Sequence, residues 1–203
     1  MKISVYQGDL PTSLDLGPVV AVDTETLGLD PHRDRLCLVQ LSSGDGNAHL
    51  VQIDPGSFTA PNLKAVLEDD RILKLFHYAR FDVAVLKHYL DAEIGTVYCT
   101  KIASRLSRTY TDRHGLKDLC RELLDVDLSK VQQSSDWGAD PLSEAQRRYA
   151  ASDVLHLHAL KQRLDIMLER EGRKPIAQAC FDFIPVRAAL DLAGWSQQDI
   201  FAH

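Results

Sequence analysis

Val19-Val20-Ala21-Val22-Asp23-Thr24-Glu25 decides how this chain reads. The first four residues are apolar and mostly β-branched, as in a buried central strand. The run ends at Asp23, and Glu25 stands two residues on. Side chains two apart on a strand share a face, so both carboxylates can reach one point at the strand's C-terminal end. Taken alone, Asp-x-Glu is also a common pattern of exposed loops.

Working outward, Leu36 to Leu41 and Leu50 to Ile53 read as further strands, the latter stopped by Asp54-Pro55-Gly56. Asn62 to Glu68 reads as a helix, and Ile72 to Phe76 as a buried strand leading into His77. Phe81, Val85 and Tyr89 recur at four-residue spacing, which predicts a helix over Ala79 to Tyr89. Val97 to Cys99 is a short strand. Beyond Thr100 the pattern is helical, over Lys101 to Leu106, Leu116 to Leu123, Ser143 to Glu171 and Ile176 to Leu192. This order predicts an α/β fold with a mixed central β-sheet flanked by α-helices. No repeat or linker divides the 203 residues, so 1–203 reads as a single domain.

Two further sites carry carboxylates where packing would not place them. Asp82 follows His77-Tyr78-Ala79-Arg80-Phe81 at the start of the helix predicted from Ala79; by itself it also suits a first-turn acid complementing the helix dipole. Tyr149 and Asp153 are four apart and share a helix face, with only Ala150, Ala151 and Ser152 between them. By itself that is equally an amphipathic helix with an exposed acid, but the small residues would let a substrate come close. Bringing Asp23, Glu25, Asp82 and Asp153 together is unfavourable. Two unit charges about 4 Å apart repel by roughly 4 kcal/mol at an effective dielectric of about 20. Divalent cations relieve such repulsion, and an all-oxygen donor set suits Mg2+ or Mn2+. The chemistry implied is two-metal hydrolysis of a nucleic-acid phosphodiester.

Composition narrows the partners. There is no run of 18 apolar residues and the N-terminus lacks a signal-peptide core, so neither a membrane span nor export is expected. Cys37, Cys99, Cys120 and Cys180 form no Cys-x-x-Cys pair and read as reduced, mostly buried thiols of a cytoplasmic protein. A net charge of −6 is unlike the basic excess of proteins that grip long nucleic acid. It favours a short substrate, or a basic track on one face. Residues 101–121 are the basic stretch, with six Lys/Arg against two Asp. Within it Arg108, Tyr110, Arg113 and His114 are candidates to cap a substrate phosphate, against the alternative of a solvated helical face. Arginine suits that role better than lysine. His77 is either a substrate contact or a buried, hydrogen-bonded histidine, and Trp137 either lines the site or belongs to the core.

The order Asp23-x-Glu25, His77-x-x-x-Phe81-Asp82, Tyr149-x-x-x-Asp153 resembles the signature of the DEDD exonuclease superfamily, and the tyrosine marks its DEDDy branch. Arg35-Leu36-Cys37-Leu38-Val39-Gln40-Leu41, Cys99-Thr100-Lys101-Ile102-Ala103 and Ser134-Ser135-Asp136-Trp137 are similar to segments of ribonuclease D. The resemblance spans about residues 19–165, leaving a helical tail over about 175–203. Asp30 to Arg35, Arg108 to Leu116 and Gly194-Trp195-Ser196 are similar to the nanoRNase C group of compact bacterial ribonucleases. Many DEDDy enzymes carry His-Asn where this chain has His77-Tyr78.

The resemblance implies a ribonuclease H-like fold and 3′–5′ exoribonuclease activity on very short RNA, dinucleotides above all. Asp23, Glu25 and Asp153 would hold one metal. Asp23 would bridge to a second, which Asp82 binds directly or through water, and Tyr149 would orient the attacking water or take its proton. Leu29, in Asp-x-Glu-x-x-Gly-Leu, would wedge between two bases, unless it is a core leucine. DNA or longer structured RNA are alternative substrates. A catalytically dead binding module is the remaining alternative, and the presence of all four carboxylates and Tyr149 argues against it. The apolar tail, Pro185 to His203, with Leu190, Leu192, Trp195, Ile200 and Phe201, suggests burial against the body or another subunit, and the resemblance implies a homo-oligomer, an octamer.

Overall fold

The computed structural model describes residues 1–129, 131–132 and 134–202; His203, which ends the expected tail, lies outside them. A six-stranded mixed sheet holds β1 (Ile3–Gln7), β2 (Val19–Thr26), β3 (Leu36–Ser42), β4 (Ala48–Gln52), β5 (Leu73–Phe76) and β6 (Val97–Cys99) in the order β1-β4-β3-β2-β5-β6. β3 runs antiparallel to both neighbours, and the other pairings are parallel. The helices are α1 (Pro61–Glu68), α2 (Ala79–Leu90), α3 (Thr100–Ser107), α4 (Leu116–Leu124), α5 (Glu144–Leu155), α6 (Leu157–Arg170) and α7 (Lys174–Leu190), closed by an irregular turn, Asp191–Trp195. This is the mixed α/β architecture expected from the sequence. No helix among the described residues is long and apolar enough to cross a membrane.

Strand alternation places the acids. β2 pairs Asp23 with Gln40 and Glu25 with Leu38, and β3 in turn pairs Gln40 with Leu50. Facing partners share a side of the sheet, so Asp23 and Glu25 stand on the face that carries Leu38 and Leu50. A small core of Cys37, Leu38, Leu50, Trp137, Leu142 and Ala150 forms there beneath α5. The main core includes Val20, Val22, Val39, Val51 and the α2 residues Val83, Val85 and Leu86. β5 pairs with β2 only along Val19, Ala21 and the residue between them. Past Val22 that edge of β2 has no strand beside it, and the start of α2 fills the space.

Two expectations need correcting. β1 was not foreseen, because its residues are only half-buried at a sheet edge. The single helix expected over Ser143 to Glu171 is two, divided at His156, whose backbone (φ −104°, ψ −6°) leaves the helical path. His158 then reaches the Val19 carbonyl at 3.1 Å. Cys37, Cys99 and Cys120 are buried, Cys180 is half-buried and all four are free.

Candidate active site

β2 and α5 bring three of the four acids together. One carboxylate oxygen each from Asp23, Glu25 and Asp153 lies within 4.8 Å of the others. The register of α5 that makes this possible is fixed at its start. Ser143 and Gln146 form a reciprocal capping box, with Gln146 N–H donating to Ser143 Oγ at 3.2 Å and Ser143 N–H to Gln146 Oε1 at 2.9 Å. Such caps contribute about 1 kcal/mol. Gln146 Nε2 also donates to the Asp136 carbonyl at 2.8 Å, tying the Trp137 loop to the helix.

Asp82 adjoins this trio, and its charge is the foremost of the three acids' charges that raise Asp23. Thr24 alternates away from Asp23 and Glu25, and its hydroxyl donates to Asp82 Oδ1 at 2.7 Å. Both side chains are buried. The structure thus places Asp82 beside the three-acid cluster, held by Thr24, and not within it.

The electrostatics are those of a site built for cations. Burial, then Asp82, Asp153 and Glu25, hold the Asp23 carboxyl well above its usual range. Burial, reinforced by Asp153 and Asp82, pushes Glu25 up to about 9. Burial raises Asp82 to about 7 against the opposing Thr24 bond. Burial likewise raises Asp153 to about 7 against its bond with Tyr149. Like charges this close cannot all ionise without compensation. Gln40, fully buried, donates to Asp23 Oδ2 at 3.4 Å, while its Oε1 has no partner among the described residues. These hard, crowded oxygens fit Mg2+ or Mn2+.

The acids open into a cleft of about 360 Å³, lined also by Tyr149, His77, Tyr78, Lys101, Leu116 and Lys117. Burial, then Asp153 and Glu25, push the Tyr149 phenol far up, so it stays protonated. His77 Nδ1 lies 2.9 Å from Thr100 Oγ1, whose hydroxyl donates to the Phe76 carbonyl. Nδ1 must therefore carry the proton, leaving Nε2 an acceptor. Burial, then Lys101, drives His77 down to about 3, so the ring is neutral. Sequence reasoning left His77 open between two readings; it is both hydrogen-bonded and cleft-lining.

Lys101 and Lys117 carry no sequence signal that singles them out. They line the same cleft as Asp23, Glu25 and Asp153, and neither has a carboxylate within salt-bridge distance among the described residues. Only their place in a basic stretch hinted at them. Lys101 Nζ sits 4.2 Å from the Tyr78 ring centroid.

The phosphate-cap candidates do not reach this cleft. Arg108 is fully buried. Its guanidinium pairs with Glu122 and donates from Nη1 to the Arg113 carbonyl at 2.9 Å and to Ser104 Oγ at 3.1 Å. An arginine so engaged cannot cap a substrate, and the expectation for Arg108 is corrected to a role in pinning the loop that leads to Gly115. Tyr110 and Arg113 are exposed outside the cleft lining. His114 is tied to Ser104 Oγ at 2.8 Å. Trp137 is also corrected. It is buried in the small core with its ring 5.9 Å from that of Tyr149, and so supports the tyrosine from behind. Leu29 is no core leucine, being 85% exposed. Gly28 before it leaves room for the Asp34 carboxylate, which lies 2.2 Å from where a Cβ would stand and would have to move for any larger residue.

Comparison with known proteins gives this arrangement its relatives. The family description "3'-5' exonuclease" matches residues 9–169. The chain is 36% identical over 156 residues to the ribonuclease D of Gluconacetobacter diazotrophicus, covering 77% of this chain and 39% of that one. It spans about two-fifths of the length of the curated relatives it matches. Solved structures match throughout, two of which follow. Brucella melitensis NrnC with bound Mg2+ is 57% identical, covers 100% of each chain and superposes with a TM-score of 0.96. Brucella melitensis NrnC bound to pGG is 58% identical, covers 100% of this chain and 99% of that one, and gives 0.97. The fold, the converging acids and these likenesses agree, and the chain belongs to the ribonuclease D-like 3′–5′ exonuclease family, in its compact nanoRNase C branch.

Proposed function

We propose that this protein is a metal-dependent 3′–5′ exoribonuclease that hydrolyses very short RNA, dinucleotides above all, to nucleoside 5′-monophosphates. The observation that carries the reading is the convergence of Asp23, Glu25 and Asp153 beside the neutral phenol of Tyr149 in one cleft. The likeness to NrnC with bound Mg2+ and to NrnC bound to pGG supports it.

In this reading Asp23, Glu25 and Asp153 would hold one Mg2+ or Mn2+, and Asp23 and Asp82 would hold a second. When bound, such ions polarise the scissile phosphate and lower the pKa of a ligated water. Tyr149, kept protonated and braced by Trp137, would orient the attacking water in line with the scissile phosphate. The bond to the 3′-oxygen of the upstream nucleotide breaks, and the terminal nucleotide leaves as its 5′-monophosphate. Lys101 and Lys117 offset the remaining phosphate charge from within the cleft. The net charge of −6 fits a short substrate better than a long one. The exposed apolar residues Phe183, Val186, Trp195 and Phe201 support assembly of copies, with an octamer as the expected form. Cytoplasmic residence accords with four free cysteines.

The test is a length series. Purified protein with Mg2+ or Mn2+ is given 5′-labelled RNAs of two to seven nucleotides, with Asp153→Asn as the inactive control. Fastest cleavage of the dinucleotide supports the proposal. Rates that are flat or rise with length mean a general exonuclease on longer RNA or on DNA.

A further inference from the structure

Gln40 stands in the middle of the sheet and is fully buried. The strand register sets its surroundings. Across β2 it faces Asp23; across β4 it faces Leu50, which in turn faces Val5 of β1. Leu38, two residues back along β3, shares its face. Leu38 and Leu50 belong to the small core, and α5 packs over β2, β3 and β4. The Gln40 amide has one polar partner among the described residues. Its Nε2 donates to Asp23 Oδ2 at 3.4 Å, and its Oε1 accepts from none.

For packing alone this is the wrong side chain. A methionine or leucine of similar volume would fill the same space. A buried acceptor left without a partner costs more than one lost hydrogen bond. A single bond at the long end of the usual range offsets little of that. The amide is explained by what it does for Asp23, not by what it does for the core.

What Asp23 lacks by itself is an orientation. The last torsion of an aspartate is broad and roughly two-fold, so the backbone does not set the plane of the carboxylate. Asp82 is held by the Thr24 hydroxyl and Asp153 by Tyr149. Glu25 faces Leu38, which has no donor to offer, whereas Asp23 faces the Gln40 amide. Asp23 is also the acid that serves both ions in the proposed mechanism, a task that uses both of its oxygens. A carboxylate must carry its charge to bind a metal, and a hydrogen bond to a charged oxygen is stronger than one to a neutral group.

We infer that Gln40 is a positioning residue for the metal centre: its Nε2 sets the plane of the Asp23 carboxylate, and the fold bears a buried, half-paired amide to do so. The inference rests on the metal-dependent reading above.

Gln40→Met and Gln40→Leu keep the bulk and remove the amide. Thermal unfolding in EDTA and calorimetric titration with Mg2+, both at one pH, separate a positioning role from a structural one. Without metal the variants should melt at the wild-type temperature or above it, because the orphaned acceptor is gone. Their Mg2+ affinity should nonetheless fall by about 10–100-fold. A role in packing alone would move the two readouts together, and positioning moves them apart. Variants that match the affinity of a Mg2+-binding wild type overturn the inference and leave the enzyme reading intact. Variants that melt lower without metal, or that both fail to fold, show the amide to be structural and overturn it too. A wild type that binds no Mg2+ overturns the metal-dependent reading itself.

Discussion

Stripped of divalent ions, this protein should lose stability as pH rises from 5 to 7, the reverse of ordinary acid denaturation. Asp82 sets the sign. Burial raises its carboxyl to about 7, whereas an unfolded aspartate titrates near about 4. Between those values the folded state keeps a proton that the unfolded state has released, so stability is greatest below the unfolded value and declines toward the folded one. One retained proton corresponds to about 1.4 kcal/mol per pH unit. From pH 5 to 7, with the folded group half titrated at the end, Asp82 accounts for about 2 kcal/mol. For a domain of this size that lowers the melting temperature by about 4–8 °C. Glu25 and Asp153, raised in the same direction, steepen the decline. The assay is thermal unfolding in EDTA at half-unit pH steps, repeated with Mg2+, which should lift the pH 7 transition more than the pH 5 one. Asp82→Asn should flatten the metal-free slope, because it removes one titrating group and a charge that raises Asp23 and Glu25. Metal-free stability that is flat or rises over this window, or a slope unchanged in Asp82→Asn, would refute the reasoning.

Thr24→Val keeps the strand and its shape but strips Asp82 of a buried hydrogen bond; it should cost about 1.5–3 kcal/mol near neutral pH, read as a shifted urea midpoint. Tyr149→Phe should lower turnover by about 10²-fold with much less change in substrate binding, and unchanged turnover in single-turnover assays would remove the tyrosine from the mechanism. Lys101→Ala combined with Lys117→Ala should raise KM and weaken its dependence on salt, whereas Arg113→Ala should do neither, as salt titrations of KM will show. Arg108→Ala should destabilise the fold by about 1–3 kcal/mol in chemical unfolding, since it removes a fully buried side chain and leaves the Arg113 carbonyl and Ser104 Oγ without its hydrogen bonds.

Residues set by local periodicity were legible, and residues set by tertiary placement were not. Val19 to Glu25 announces both its strand and the shared face of its acids, because alternation along a strand needs no knowledge of neighbours. Tyr149 and Asp153 follow from helical spacing in the same way. Lys101 and Lys117 gave no separate signal, since a lysine lining a cleft has the same sequence as one in solvent. Arg108 misled for a related reason. Arginine is usually a surface residue, and its burial depends on Glu122, 14 positions away on another helix. The break at His156 carries no glycine or proline to mark it. Leu29 and Trp137 exchanged the places that hydrophobicity suggests, the leucine standing in solvent and the indole serving the core beneath Tyr149.

Four mutually repelling acids endanger a small domain unless the structure around them is rigid. Here they cluster around the C-terminal half of one strand, where the surroundings can bear them. β2 is central, with β3 paired along it as far as Thr26, so moving Asp23 or Glu25 would break sheet hydrogen bonds on that side. The main core with α2 holds one face of the sheet and the Trp137 cluster beneath α5 holds the other. Neither side can relax to separate the charges without opening a packed cavity, which costs about 2–5 kcal/mol for each large apolar side chain exposed to a void. The repulsion is therefore held in place until cations or protons neutralise it. It follows that variants which loosen the small core, such as Leu142→Ala, should weaken Mg2+ binding in calorimetry even though Leu142 is no candidate ligand; unchanged affinity in such a variant would show that the acids hold their geometry without help from the packing behind them.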